Sequence, residues 1–283
     1  MPSEKRARQR AGKLQRRTAR ARKAKARKLL RNSAIVVVVA AVVIAVVITT
    51  RGHSPSSPPA KGTAGKGSAS TVTTLTTAPA GSPAAEQAAA NRAATAAGCP
   101  AGTTARVNTL HWSSPPAMAI DPQKAYSATF KTTAGTFAVS LLAKTAPKTV
   151  NSFVFLAKTG YFHCVTFHRV VTGFVDQTGD PTGTGTGSPG YHFANENVPA
   201  SYAAGDVAMA NSGGTDSNGS QFFVVVPGGD KVLDGDLSSG DAYSLFGTVT
   251  SGMPVVEKIN SEGSADGKPA VVQRVLSVTV SQS

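Results

Sequence analysis

The sequence lacks several things, and each shortage removes a class of function. There is no G-x-S-x-G elbow, and Ser220 in "NGSQFF" sits where a strand begins, so a Ser-His-Asp hydrolase is not supported. The stretch "GTGTGSPG" does contain G-x-G-x-x-G at Gly185, Gly187 and Gly190. No Lys-Ser or Lys-Thr pair follows it, which excludes a P-loop. The residues after Gly190 carry no helical apolar period and run into Pro199, so no helix N-terminus is offered to a dinucleotide. Long βαβ alternation is missing as well. Cysteine is scarce: Cys99 and Cys164 are the two in the chain, and His163 and His168 flank the second. Their spacing matches no standard zinc-ligand pattern.

Acidic residues are nearly absent from the N-terminus. Residues 1–31 hold 14 of the 29 Lys and Arg residues but one of the 15 acids, Glu4. The remaining chain, with 15 basic and 14 acidic residues, is close to neutral, so the formal charge of +14 belongs to a tail. Between Arg31 and Arg51 lie 19 uncharged residues rich in Val, Ile and Ala. At about 1.5 Å per residue such a helix nearly crosses a hydrocarbon core of roughly 30 Å. A basic cluster directly before it follows the positive-inside rule, and no A-x-A cleavage site comes after it. Residues 32–50 are therefore read as an uncleaved single-pass membrane anchor. Residues 1–31 form the cytoplasmic tail, and everything after Arg51 lies outside. Attraction to anionic lipid accounts for the basic tail, and no nucleic-acid partner is expected.

Residues 51–97 are Ala, Gly, Ser, Thr and Pro with almost nothing large and apolar, which reads as a disordered linker, with local helix conceivable over Ala84–Ala97. Outside the cytoplasm a lone cysteine pair favours oxidation, so a Cys99–Cys164 disulfide is expected rather than a metal site.

From residue 98 to 283 the pattern changes to short strands. "AYSATFKT" and "GTFAVSLL" alternate apolar and polar residues around a turn at Thr133–Gly135 and read as a hairpin. Further strand-like runs are "VTFHRVV", "DVAMAN", "QFFVVV", "SLFGTV" and "VVQRVLSVTV". Two helices are indicated. One opens at Pro147, with Val150, Phe153, Val154 and Leu156 on one face and Gly160 as its stop, and the other opens at Pro254. The balance is a mainly β fold, a closed antiparallel barrel with helical caps.

Three separated motifs narrow this further: "FHRVVTGFVDQTGDPTGTGTGSPGYHFANE", "MANSGGTDSNGSQFF" and "LFGTV". In this order and with these gaps, residues 125–281 closely resemble the cyclophilin family of peptidyl-prolyl cis-trans isomerases. The resemblance implies an eight-stranded antiparallel barrel closed by a helix at each end. It implies that the Gly/Thr-rich stretch is a surface loop beside the substrate groove. It also implies a cofactor-independent, metal-free isomerase of proline-containing polypeptides, with a domain that works as a monomer.

The chemistry is consistent with that. Rotation about a peptide bond faces a barrier of roughly 18–20 kcal/mol, because the nitrogen lone pair is delocalised. Lowering it needs an apolar grip on the proline ring, a donor near the prolyl nitrogen, and fixed bonds to the flanking backbone. By resemblance Arg169, Phe174 and Gln177 form the catalytic set. Phe174 and Phe223 wall the proline pocket, Val175 and Leu233 complete it, and Ala210 lines the groove. Gln177 and Asn211 hold the substrate backbone, Gln221 orients Arg169 from beneath, and Tyr243 stands at the rim. His168 belongs to the substrate-binding set in a supporting role, since rotation needs no proton transfer.

Several positions depart from the family. Val175 replaces the usual Met, Thr178 the usual Gly, and Val232 the usual Trp before Leu233; Tyr243 stands at a frequent His. The loop 213–218 is one residue longer, and "DLSSGDAYS" extends the pocket side. Loss of the indole implies weak binding of cyclosporin. The altered rim keeps one alternative in view, an extracytoplasmic module or chaperone that holds proline-containing segments without turnover.

Overall fold

The structure is a computed structural model that describes residues 81–103, 106–213, 216–239 and 242–283. The tail, the expected anchor at 32–50 and the linker up to residue 80 lie outside the described residues. Among those described, no helix is long and apolar enough to cross a membrane.

The last part of the expected linker is helical, where the sequence allows a local helix over Ala84–Ala97. Helix α1, Pro83–Ala96, starts with Ser82 accepting from the Ala85 amide and with Pro83 in its first turn. Alanine's high helix propensity lets a segment without large apolar residues form a helix. It docks through small and polar groups: Ala90 and Ala94 are buried. Gln87 exchanges hydrogen bonds with the Val272 backbone, and Lys258 meets Glu86 at 3.2 Å.

The hairpin forms as the alternation predicts. In β1, Tyr126–Thr132, every second residue is buried, and β2, Gly135–Leu141, turns Phe137, Val139 and Leu141 inward opposite it. Helix α2, Pro147–Lys158, packs Val150, Phe153, Val154 and Leu156 into the core. No side chain of its own caps it; the Glu196 carboxylate accepts from the Lys148 and Thr149 amides instead. Then follow β3 Arg169–Val171, β4 Val175–Thr178, β5 Asp206–Met209 and β6 Phe222–Val225. Helix α3, Gly229–Ser239, precedes β7 Leu245–Ser251, helix α4 Met253–Ser261 and β8 Val275–Gln282. Helix α1 falls on the Ala84–Ala97 stretch read as locally helical, and α3 adds to the helices that the sequence indicates.

All neighbouring strands are antiparallel, in the order β3-β4-β6-β5-β7-β2-β1-β8. The sheet curls around a core of Phe130, Phe137, Phe153, Phe162, Phe222 and Phe246. The expected closed barrel is not formed: β3 and β8, the two edges, do not pair. The outer edge of β3 is taken by the loop before β8, with the Val170 amide donating to Gly267 and the Ser264 amide to Val170. Before the edges, residues 164–167 bond to 273–275, but the next carbonyl, Leu276, accepts from His163 Nδ1 instead of a strand. A side chain and a loop thus satisfy the groups that a closing ladder would have used.

Candidate functional site

Strand β6 is buried on both faces, and its alternation separates two apolar regions. Phe222 and Val224 join the main core, while Phe223 and Val225 point the other way. Strand β4 lies against it with Gln177 opposite Phe223 and Val175 opposite Val225. The outward face is thereby built from Val175, Phe223, Val225, Ala208, Tyr202 and Leu233, with Phe174, Ala210 and Tyr243 packed on it. The short β3–β4 hairpin sets Arg169 opposite Gln177.

These residues enclose a cavity of about 240 Å³ lined by Arg169, Phe174, Val175, Gln177, Ala210, Asn211, Phe223, Leu233, Asp236 and Tyr243. Nine of the eleven site residues expected from the sequence therefore share one wall. Leu233 comes from α3, which absorbs the start of the extended "DLSSGDAYS" segment, and Phe223 meets Tyr243 edge-to-face at 5.4 Å. Asp236, one helical turn beyond Leu233, also lines the cavity; nothing in the sequence marked it. A larger cavity of about 380 Å³ adjoins it through Gln177, Ala210 and Asn211, bounded by the Gly/Thr loop and Gln221. The smaller one holds the apolar walls and the cation, so it is the better match for a proline ring.

A chain of hydrogen bonds runs beneath. Arg169 Nη1 donates to Gln177 Oε1 at 3.3 Å, and Gln177 Nε2 donates to Gln221 Oε1 at 3.0 Å. Gln221 Nε2 donates to the carbonyls of Gly185 and Gly187, both at 3.0 Å. Gln221, expected to orient Arg169 from beneath, is connected to it through Gln177. The guanidinium carbon lies 5.8 Å from the Phe174 ring centre, within cation–π range. Asn211 serves the rim itself, donating to Ala242 O at 2.7 Å and accepting from the Gly213 amide. His168 is not on the cavity wall; its ring lies behind, against Gly185. Burial holds its imidazole below the ordinary histidine range, against the pull of the Asp180 charge.

The Gly/Thr loop takes its shape from Asp180. One carboxylate oxygen accepts from the Thr182 amide and hydroxyl, each at 2.7 Å; the other accepts from the Gly185 amide at 2.6 Å and the Gly187 amide at 3.1 Å. Amides that would cradle a phosphate in another fold here cradle an internal carboxylate. Burial alone would raise its pKa, but these bonds outweigh it and hold the group below the usual carboxylate range. A Cβ at Gly187 would run into that carboxylate. This organising role was missed in the sequence, although a carboxylate just before alternating glycines was its available signal.

Cys99 and Cys164 are joined with their Cα atoms 5.3 Å apart. His163 approaches the two sulfurs within 4.8 Å, yet the disulfide uses both sulfurs and the His163 ring donates to Leu276.

Comparison with known proteins agrees with this geometry. A family model described as "Cyclophilin type peptidyl-prolyl cis-trans isomerase/CLD" matches residues 127–280. The chain is 39% identical over 173 residues to the "Probable peptidyl-prolyl cis-trans isomerase B" of Mycobacterium tuberculosis, covering 54% of this chain and 53% of that protein. It thus spans about half the length of that relative. It is 42% identical over 139 residues to the "Peptidyl-prolyl cis-trans isomerase" of Helicobacter pylori, covering 47% of this chain and 78% of that one. The fold superposes on a crystal structure of a Cryptosporidium parvum cyclophilin type peptidyl-prolyl cis-trans isomerase with a TM-score of 0.50 at 27% identity, covering 56% of this chain and 98% of that one. With the family model matching more than half of the chain, including the strands that carry the cup and its arginine, this chain belongs to the cyclophilin-type peptidyl-prolyl cis-trans isomerase family.

Proposed function

We propose that the chain isomerises X-Pro bonds in exported or cell-envelope polypeptides, held to the membrane by residues 32–50 with its site outside. The observation that carries the chemistry is one cavity combining an apolar cup with a forked cation at its edge. Phe174, Val175, Ala210, Phe223 and Leu233 grip the proline ring in either isomer. Arg169 donates to the prolyl carbonyl and approaches the nitrogen, whose lone pair becomes available only as the amide twists. The bond to nitrogen thus strengthens in the transition state, which is the condition for acceleration. Rotation needs no proton transfer, in keeping with His168 being absent from the cavity wall. A disulfide near the start of the folded region supports an oxidising compartment.

NMR exchange spectroscopy on an Ala-Pro peptide with the full chain in detergent tests the activity: exchange between cis and trans should speed up while the peptide binds. Binding with no acceleration would favour the holding module. Protease added to intact cells tests the orientation. It should release a fragment of folded-domain size, and protection until lysis would overturn the outward placement.

A further inference from the structure

Between α1 and β1 the described residues form no helix or strand, yet residues 99–103 and 106–112 are fixed at one point after another. Cys99 is bonded to Cys164, and the Arg274 guanidinium donates to the carbonyls of Pro100, at 2.8 Å, and Gly102. Asn108 Nδ2 donates to Tyr161 O at 2.8 Å. The segment then crosses the Gly/Thr loop and holds both of its ends. The Val107 amide donates to Pro181 O at 2.9 Å, and the Trp112 amide to Pro189 O at 2.8 Å. Between these two bonds the His111 ring packs on Gly190 so closely that any Cβ there would collide with it.

The residues spanned by the two bonds matter for the site. Inside 181–189 lie Gly185 and Gly187, whose carbonyls hold Gln221 and, through it, Gln177 and Arg169. The loop is rich in glycine and threonine, and such backbone loses much conformational entropy on ordering. Asp180 secures its amides from within; residues 107–112 secure its ends from outside. The segment lies wholly before residues 127–280, the part shared with the family.

We propose that residues 99–112 are a positioning clamp for the catalytic arginine, acting through the Gly/Thr loop, Gln221 and Gln177. The inference rests on the isomerase reading above. Releasing the clamp leaves the apolar cup intact and lets the carbonyls that hold Gln221 drift. Turnover then falls while peptide affinity holds.

The test uses the full chain and compares Val107→Pro, which removes the N–H to Pro181, with Val107→Ala, which keeps it. Val107→Pro should lower kcat at least about fivefold with KM within about twofold, and Val107→Ala should stay within about twofold of the wild type in both. Deuterium exchange over 182–188 should accelerate about tenfold or more in Val107→Pro alone. In a Gln221→Ala background Val107→Pro should have no further effect on kcat, since both act on one chain of contacts. Where Val107→Pro fails to fold, Asn108→Ala, which removes the neighbouring bond to the Tyr161 carbonyl, loosens the same stretch and is read in the same way. An active wild type whose kcat survives release of the segment overturns the clamp, as do multiplicative effects of Val107→Pro and Gln221→Ala. A wild type that binds peptide without isomerising it overturns the isomerase reading itself, and the clamp with it.

Discussion

Gln177 stands between two partners: its Oε1 accepts from Arg169 at 3.3 Å, and its Nε2 donates to Gln221 at 3.0 Å. Both ends of one amide are thereby used to hold the arginine over the cavity. Gln177→Glu keeps the acceptor for Arg169 and places a second acceptor against Gln221 Oε1, whereas Gln177→Ala removes both bonds. We expect Gln177→Ala to lower kcat/KM by about tenfold, near the 1.4 kcal/mol worth of one such hydrogen bond to a charged group. Gln177→Glu should fall between it and the wild type. Equal activity in all three, measured on one X-Pro peptide, would show that the arginine is held by other means.

On the opposite face of the same strand, Asp176 is completely buried. One of its oxygens accepts from Asn260 at 2.7 Å, and the other has no partner among the described residues. Burial, reinforced by Glu262 and opposed by the Asn260 bond, pushes its pKa up to about 7. The unfolded chain titrates near about 3.9, so the native state binds this proton more tightly. The resulting stabilisation is complete below about pH 4 and is lost as pH rises through about 7. Asp176→Asn keeps an acceptor for Asn260 and has no proton to lose. It should raise Tm by about 5 °C at pH 8, by roughly a third of that at pH 5, and hardly at all at about pH 3.5. An Asp176→Asn variant with the same pH dependence as the wild type would contradict this reading.

The disulfide closes a loop of 65 residues. In the chain-entropy model that restriction of the unfolded state stabilises the fold by roughly 4 kcal/mol. A dithiol reductant, or the paired serine substitutions at Cys99 and Cys164, should therefore lower Tm by about 8–16 °C at 2–4 °C per kcal/mol. An unchanged melting curve after confirmed reduction would mean that the other attachments of residues 99–112 already fix the segment.

Pattern was enough where burial imposes a period. Tyr126–Thr132 alternates because one face of β1 meets the core, and α2 shows its apolar stripe for the same reason. Of the eleven site residues expected from family motifs, nine line one cavity. Strand β4 was not legible as a strand, because Val175-Asp176-Gln177-Thr178 holds one apolar residue and its buried neighbour is a carboxylate. Helix α1 was legible as local helix over Ala84–Ala97, but its docking was not, because it packs through alanine, Gln87 and an ion pair rather than through large side chains. The open edge between β3 and β8 was hidden too, since a histidine side chain and the loop 264–267 stand in for a strand ladder. Such substitutions depend on three-dimensional neighbours, which no local period records.

The division of labour in the cavity leads to the last prediction. Arg169 is exposed at the rim, tethered through Gln177 and stacked on Phe174, whereas Phe223 is buried in the floor against Tyr243. Arg169→Ala should lower kcat/KM for X-Pro isomerisation by at least about tenfold, or roughly 1.4 kcal/mol of transition-state stabilisation. Peptide binding should weaken much less, because the apolar floor that grips the ring is untouched. Arg169→Lys should also be poor, since an ammonium cannot present parallel donors to the carbonyl and the nitrogen while keeping its bond to Gln177. Phe223→Ala should differ from both. It removes part of the floor, so affinity and turnover should fall together, and loss of a buried ring at this site should cost about 3–5 kcal/mol of stability. Exchange spectroscopy on a short Ala-Pro peptide reads affinity and isomerisation in one sample. If Arg169→Ala binds the peptide and exchanges it as fast as the wild type, the arginine is not the group that acts on the twisted amide.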